Sequence, residues 1–182
     1  DEYCTKEGRL GAHPDYGVPG IAAATGSLGH GLGMAVGMAY ANQVQGKPGV
    51  IYVVISDGEL QEGSTWEAVM MAVNLGLDNL VVCVDFNDFT SFGRLSEGHP
   101  AIFPVAEKWM VFGWQAEVVD GHDSEAVYTA LSKPRTKPSV IIGKTVKGKG
   151  VSFMESVPVW HYRSPNAEEY QKAVRELSEK SP

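Results

Sequence analysis

The sequence predicts an α/β protein built on a doubly wound parallel sheet with helices on both faces. Three observations carry that expectation. An apolar run, Val50–Ile55, leads straight into Asp57-Gly58. A second run, Leu80–Val84, leads straight into Asp85-Phe86-Asn87. Between them, apolar residues recur at helical spacing from Ser64 to Leu75. The order is strand, acid, helix, strand, amide. A parallel crossover then brings both polar groups to the carboxyl edge of the sheet, where open α/β sheets bind ligands. A carboxylate and an amide oxygen meeting there suit a hard divalent cation such as Mg2+. That ion takes few protein oxygens and completes its octahedron with phosphate and water.

Each further element has a local signal. Residues 1–24 read as a loop-rich entry segment, punctuated by Gly8, Gly11, Pro14, Gly17, Pro19 and Gly20. Thr25 to Gln45 has a helical pattern rich in small residues, and at roughly 1 kcal/mol per glycine such a helix needs compensating close packing. Ser64 followed by Glu67 reads as a capping box opening the next helix. Trp66, Val69, Met70 and Val73 on that helix are expected in the core or at a subunit interface. From Asp88 to Pro104 the chain turns irregular. Then come a helix near Val105–Phe112, a strand near Trp114–Val119, a helix near Ser124–Leu131 and a strand near Ser139–Lys144. Lys147-Gly148-Lys149-Gly150 leaves the carboxyl edge of that last strand. A helix over Ala167–Glu179, within a surface segment spanning 165–182, has only a thin apolar stripe of Tyr170, Val174 and Leu177.

Size and composition narrow the function. The chain has 182 residues, enough for one domain with a full core. Hydrophobic residues make up 43% and charged residues 20%, which is ordinary for a globular protein. A net charge of −7 argues against nucleic-acid binding, which needs a basic face. Cys4 and Cys83 are far apart, and Cys83 lies in a predicted strand, so the reading is no disulfide and a reducing, cytoplasmic setting. No apolar run reaches membrane-spanning length, and no membrane partner is expected. The first residue is Asp1, not methionine, which is read as missing upstream residues.

Several motifs together resemble the transketolase family. They are Gly11-Ala12-His13-Pro14-Asp15, Thr25-Gly26-Ser27-Leu28-Gly29-His30-Gly31, Ser56-Asp57-Gly58-Glu59-Leu60-Gln61-Glu62-Gly63 and Asp85-Phe86-Asn87. Asp120-Gly121-His122-Asp123, the run Lys147 to Glu155, Trp160-His161 and Pro165-Asn166 extend the match. The chain is most similar to the N-terminal subunit of split transketolases. That resemblance implies a thiamine diphosphate-binding fold and thiamine diphosphate as cofactor, with Mg2+ as its metal and Ca2+ or Mn2+ as substitutes. It implies Asp57 and Asn87 as side-chain metal ligands and Phe89 as a ligand through its backbone carbonyl. Gly58 and Glu59 fall at the diphosphate end of the cofactor site, and Gly26, Ser27 and Leu28 against its rings. His13 takes the place of a histidine near the reactive carbon, and His161 that of a histidine reaching the diphosphate and the substrate. Glu62 takes the place of a glutamate linking two sites across a dimer.

The implied activity is two-carbon ketol transfer between sugar phosphates, by a chain that needs a separate subunit carrying the pyrimidine-binding domain. A two-plus-two assembly is the implied form. Departures from the family pattern keep other readings open. The sequence begins inside that pattern, with its upstream helices expected to be missing. Ser56 stands where the family usually has glycine, and Asp85–Ser91 is unusual around the amide ligand. The altered loop 88–100 is expected to shift the substrate. A non-catalytic paralogue, an enzyme of unusual-sugar biosynthesis, and an enzyme of the deoxyxylulose phosphate synthase type remain as alternatives. His30 is expected to pack or hydrogen-bond as readily as to catalyse. His122 is expected to order a turn, and His99, Lys147 and Lys149 to lie on solvated loops.

Overall fold

Branched apolar side chains that alternate across a strand have to be covered on both faces, and two helical layers do this here. The computed structural model describes residues 4–6, 8–13 and 15–179. Its main sheet contains β1 (Ile51–Ser56), β2 (Leu80–Phe86), β5 (Gln115–Asp120) and β6 (Ser139–Lys144), all parallel, in the order β1-β2-β6-β5. A separate antiparallel pair, β3 (Phe89–Thr90) and β4 (Gly93–Arg94), follows β2 directly.

The helices are α1 (Gly31–Val44), α2 (Gly63–Asn74), a short α3 (Leu95–Gly98), α4 (Val105–Val111), α5 (Ser124–Ser132) and α6 (Ala167–Glu179). On one face, Leu32 and Val36 of α1, Val69 of α2 and Trp109 of α4 share a core with Val82, Val84, Val140 and Ile142. On the other, Ala130 and Leu131 of α5 pack with Val81, Cys83, Val119 and Ile141. The doubly wound arrangement is therefore present. Its outer layer stops short of β1, where Val54 is 74% exposed and Tyr52 also faces outward.

The strand over Ser139–Lys144 and the helix over Ala167–Glu179 have the expected bounds. Ala173 is buried while Tyr170, Val174 and Leu177 stay exposed, as a surface helix requires. Pro14 and residues 180–182, named in the expected motifs and segments, lie outside the described residues. Both cysteines are free, Cys4 exposed and Cys83 half-buried.

Three local expectations change. Residues 25–30 are not helical, because Gly26 and Gly29 have φ of 144° and 79°, which no right-handed helix accommodates. Ser64 does not cap α2: the cap position is Glu62, without a side-chain hydrogen bond, and Ser64 lies inside the first turn. The entry is secured instead by α2 side chains reaching back. Thr65 Oγ1 donates to Glu59 O at 3.0 Å, and Trp66 Nε1 to Leu60 O at 2.8 Å. The segment after Asn87 is more ordered than expected, folding into β3, β4 and α3.

Trp109 is fully buried between Trp66 and Trp114, with ring centroids at 5.8 and 4.8 Å. Trp109→Ala should therefore cost about 3–5 kcal/mol in urea unfolding. Trp109 Nε1 has no hydrogen-bond partner among the described residues, so Trp109→Phe should cost clearly less.

Candidate active site

The in-register pairing of β1 with β2 sets the Ser56 backbone opposite Asp85, so the chains leave the sheet side by side. Asp57 N donates to Asp85 O at 3.2 Å. The Asp57 side chain is fully buried. Its Oδ1 accepts from Gly58 N at 2.8 Å and its Oδ2 from Asp88 N at 2.6 Å. Burial pushes its pKa up to about 6 against the pull of these backbone donors, and Asp85 nearby adds to the rise. A carboxylate buried beside another acid calls for a compensating positive charge.

Asn87 sits between two partners. Its Nδ2 donates to Asp85 Oδ2 at 3.1 Å, and its Oδ1 accepts from Phe89 N at 3.0 Å. The second contact depends on Asp88, whose φ of 68° turns the backbone sharply. Asp88 holds that turn by accepting from Ser96 N at 2.8 Å, Ser96 Oγ at 2.7 Å and Arg94 Nη1 at 3.2 Å. Burial works against its ionisation, but these hydrogen bonds outweigh it and hold the carboxyl below the usual range. The Phe89 side chain is buried under the Arg94 guanidinium, 4.5 Å from the ring centroid.

His161 reaches the same hairpin from the far end of the sequence. Its Nε2 lies 3.2 Å from Ser91 Oγ. Burial, and then the charge of Lys147, lower its pKa.

A second group assembles around the glycine loop before α1. The His13 ring rests against Gly26, where a Cβ would come within 3.0 Å of it. Ser27 and Leu28 are exposed on this loop. A Cβ at Gly29 would lie 2.3 Å from Ser64 Oγ and 2.7 Å from Glu62 Cβ, so only glycine fits. Glu59 is buried and turns its Oε1 onto Gly29 N at 2.8 Å. Glu62 is exposed beside it at the start of α2. The 3-10 turn Gly58–Gln61 joins the two groups, since Asp57 begins it and Glu59 grips the loop.

The other histidines do structural work or lie at the surface. His30 Nδ1 is 3.0 Å from Leu28 O. His122 Nε2 accepts from Val146 N at 2.8 Å, tying the turn after β5 to the loop after β6. His99 is exposed at the end of α3.

Among the described residues no cluster of three or more His, Cys, Asp or Glu suits a metal. The site offers oxygen only: the Asp57 carboxylate, the Asn87 amide and the Phe89 carbonyl. That incomplete set fits Mg2+ shared with a diphosphate. The buried Asp57 charge, with its raised pKa, fits it as well. Sequence reasoning passed over Asp85 and Asp88 as supports, and Thr145, whose hydroxyl donates to Asp85 Oδ1. The acid two residues before Asn87 was the available signal.

A parallel α/β sheet with polar groups gathered at its carboxyl edge defines a class of domain that binds ligands at that edge. Similarity to known proteins specifies it. The family model for the transketolase thiamine diphosphate binding domain matches residues 2–178, and the chain belongs to the transketolase family. It is 40% identical over 174 residues to one subunit of the apulose-4-phosphate transketolase of Phocaeicola vulgatus, covering 94% of this chain and 62% of that protein. It is 40% identical over 161 residues to the 6-deoxy-6-sulfo-D-fructose transketolase subunit SqwG of Clostridium sp., covering 87% of this chain and 58% of that one. A transketolase structure from Campylobacter jejuni superposes with a TM-score of 0.87 at 30% identity, covering 97% of this chain and 29% of that one. The chain thus spans about three-fifths of these two curated relatives. No helix among the described residues is long and apolar enough to cross a membrane.

Removing the Glu59 acceptor leaves the buried Gly29 N–H unpaired. Glu59→Ala should destabilise the ligand-free chain by about 1–3 kcal/mol, while Glu59→Gln, which keeps an acceptor, should cost much less. Paired urea titrations of the two variants would separate these outcomes.

Proposed function

We infer that this chain is the thiamine diphosphate-binding subunit of a split transketolase, transferring a two-carbon ketol unit between sugar phosphates. The observation that carries this reading is the buried Asp57 carboxylate set beside Asn87 at the carboxyl edge of β1 and β2. The relatives from Phocaeicola vulgatus and Actinobacillus succinogenes support it, since each is named as one subunit of its transketolase and so implies a second.

Bound thiamine diphosphate supplies the electron sink that lets a carbon–carbon bond beside a ketose carbonyl be cleaved and re-formed. The chain's own residues bind and orient. Asp57, Asn87 and the Phe89 carbonyl would hold Mg2+, with Ca2+ or Mn2+ able to replace it. Gly58 has no side chain to keep the diphosphate from the backbone, and Glu59 fixes the loop whose Gly26, Ser27 and Leu28 line the ring end. His13 sits against that loop, and in this reading it contacts the sugar. His161 stands at the hairpin bearing Phe89, with its pKa lowered, so near neutral pH it offers one N–H and one acceptor. Exposed Glu62 is free to meet a second copy of the chain.

The partner is a separate pyrimidine-domain subunit, in a two-plus-two assembly acting in the cytoplasm. A substrate outside central sugar metabolism is favoured by one observation. Two of the similar proteins are named for apulose-4-phosphate and 6-deoxy-6-sulfo-D-fructose, both of which carry an anionic group.

Titration of thiamine diphosphate with Mg2+ into the chain, alone and with its candidate partner, tests the reading together with a ketol-transfer assay. Cofactor binding should depend on Mg2+ and raise the melting temperature, and turnover should need both subunits. Asp57→Ala and Asn87→Ala should each abolish the Mg2+-dependent binding. Cofactor affinity retained in both variants would sink the assignment.

A further inference from the structure

An asparagine is an ambiguous metal ligand. Its oxygen can bind a cation but its NH2 cannot, and the two ends are nearly alike in shape. Something has to choose which end faces the metal. In this chain the choice is made by hydrogen bonds. A carboxylate can only accept, so Asp85 Oδ2, 3.1 Å from Asn87 Nδ2, captures the NH2 end. Phe89 N can only donate, so at 3.0 Å it captures the oxygen end. The two contacts agree.

Asp85 is itself held. Its Oδ1 accepts from the Thr145 hydroxyl on the segment leaving β6. Its backbone carbonyl accepts from Asp57 N at 3.2 Å. Three neighbouring chain exits from the sheet, after β1, β2 and β6, therefore meet at this one residue. Asp85 is also placed where its charge bears on Asp57. A second acid beside a buried acid disfavours the ionised form of both, so its position here calls for an explanation.

We propose that Asp85 is a positioning residue that sets the polarity of Asn87, turning the Asn87 amide oxygen toward the metal, with Thr145 holding Asp85 in place. The proposal rests on the reading of Asn87 as a metal ligand. It assigns Asp85 no contact with metal, cofactor or substrate. The role lies in the hydrogen bond it accepts rather than in its charge.

That distinction makes it testable. The readout is Mn2+ affinity in the presence of thiamine diphosphate, followed by the electron paramagnetic resonance signal of free Mn2+, with circular dichroism to verify folding. Asp85→Ala should weaken Mn2+ binding by about 10- to 100-fold, the range found when outer partners of metal ligands are removed. Asp85→Ser, a smaller change in polarity, serves if the alanine variant does not fold, and should weaken binding in the same direction. Asp85→Asn should rescue, staying close to the unsubstituted chain. Its amide oxygen can accept from Asn87 while its NH2 meets Thr145 Oγ1, which can accept as well as donate.

If Asp85→Ala binds Mn2+ as tightly as the unsubstituted chain, the proposal fails. It also fails if Asp85→Asn is as weak as Asp85→Ala, because charge and not hydrogen bonding would then be at work. Asn87→Ala is the separate control. If it keeps full Mn2+ affinity, or if the unsubstituted chain takes up no Mn2+ either alone or with its candidate partner subunit, the metal-site reading itself falls and the proposal with it.

Discussion

A single buried carboxylate organises this molecule. Asp57 lies at the point where β1 ends, fully removed from solvent, and its two oxygens are gripped by amides from two different exits of the sheet. Both amides are fixed by backbone, so the charge cannot turn away from its position. The grip depends on register. Slipping β1 against β2 by one residue would exchange the faces of every side chain in the strand. It would also separate Asp57 N from Asp85 O and Asp88 N from Asp57 Oδ2. The core residues Ile55, Val82 and Val84 enforce that register from beneath the site. Packing and chemistry are thus parts of one constraint.

The same residue begins the coupling to the glycine loop. From Asp57 the chain makes a tight 3-10 turn, and Glu59 leaves that turn to hold Gly29. Gly29 is pressed so closely against Ser64 and Glu62 that a side chain would collide with both. The loop Gly26–Leu28 is therefore positioned by the turn that also presents the Asp57 carboxylate. The two ends of the proposed cofactor site are thus set by one short stretch, 57–64, instead of by separate elements. This explains why so many site residues lie in consecutive sequence there.

The parts of this arrangement that were legible in sequence are the local ones. Ser139–Lys144 reads as a strand because it is a branched apolar run with turn signals on either side. Ala167–Glu179 reads as a helix because nothing in it resists one. The Asp57 and Asn87 pair is visible because each follows a buried run directly. The failures come from long-range contacts. Residues 25–30 carry helix-compatible composition, but Gly29 is drawn out of helical geometry by Glu59, thirty residues away. Ser64 has the pattern of a cap, yet Thr65 and Trp66 anchor the helix through the preceding turn, so no serine cap is needed. The hairpin after Asn87 depends on Asp88 adopting a left-handed backbone and binding Arg94 and Ser96. Its sequence looks only irregular.

Charge is the argument for the proposed metal at this edge. The chain carries −7 overall, and the site adds Asp57 and Asp85 at close quarters. A diphosphate brought to the same edge would meet like charge in a partly desolvated setting, where repulsion is stronger than in water. The nearby arginine gives no relief, because Arg94 is engaged by Asp88 at 3.2 Å and by Glu97 at 3.9 Å. Lys147 forms no ion pair among the described residues and stands near His161, but its charge already lowers the pKa of that histidine. One lysine cannot balance two carboxylates and a diphosphate. A divalent cation held by Asp57, Asn87 and the phosphates would offset part of that charge and would favour the ionised carboxylate. Burial first, and then the charge of Asp85, raise the pKa of Asp57, and a cation at the proposed site would oppose both effects.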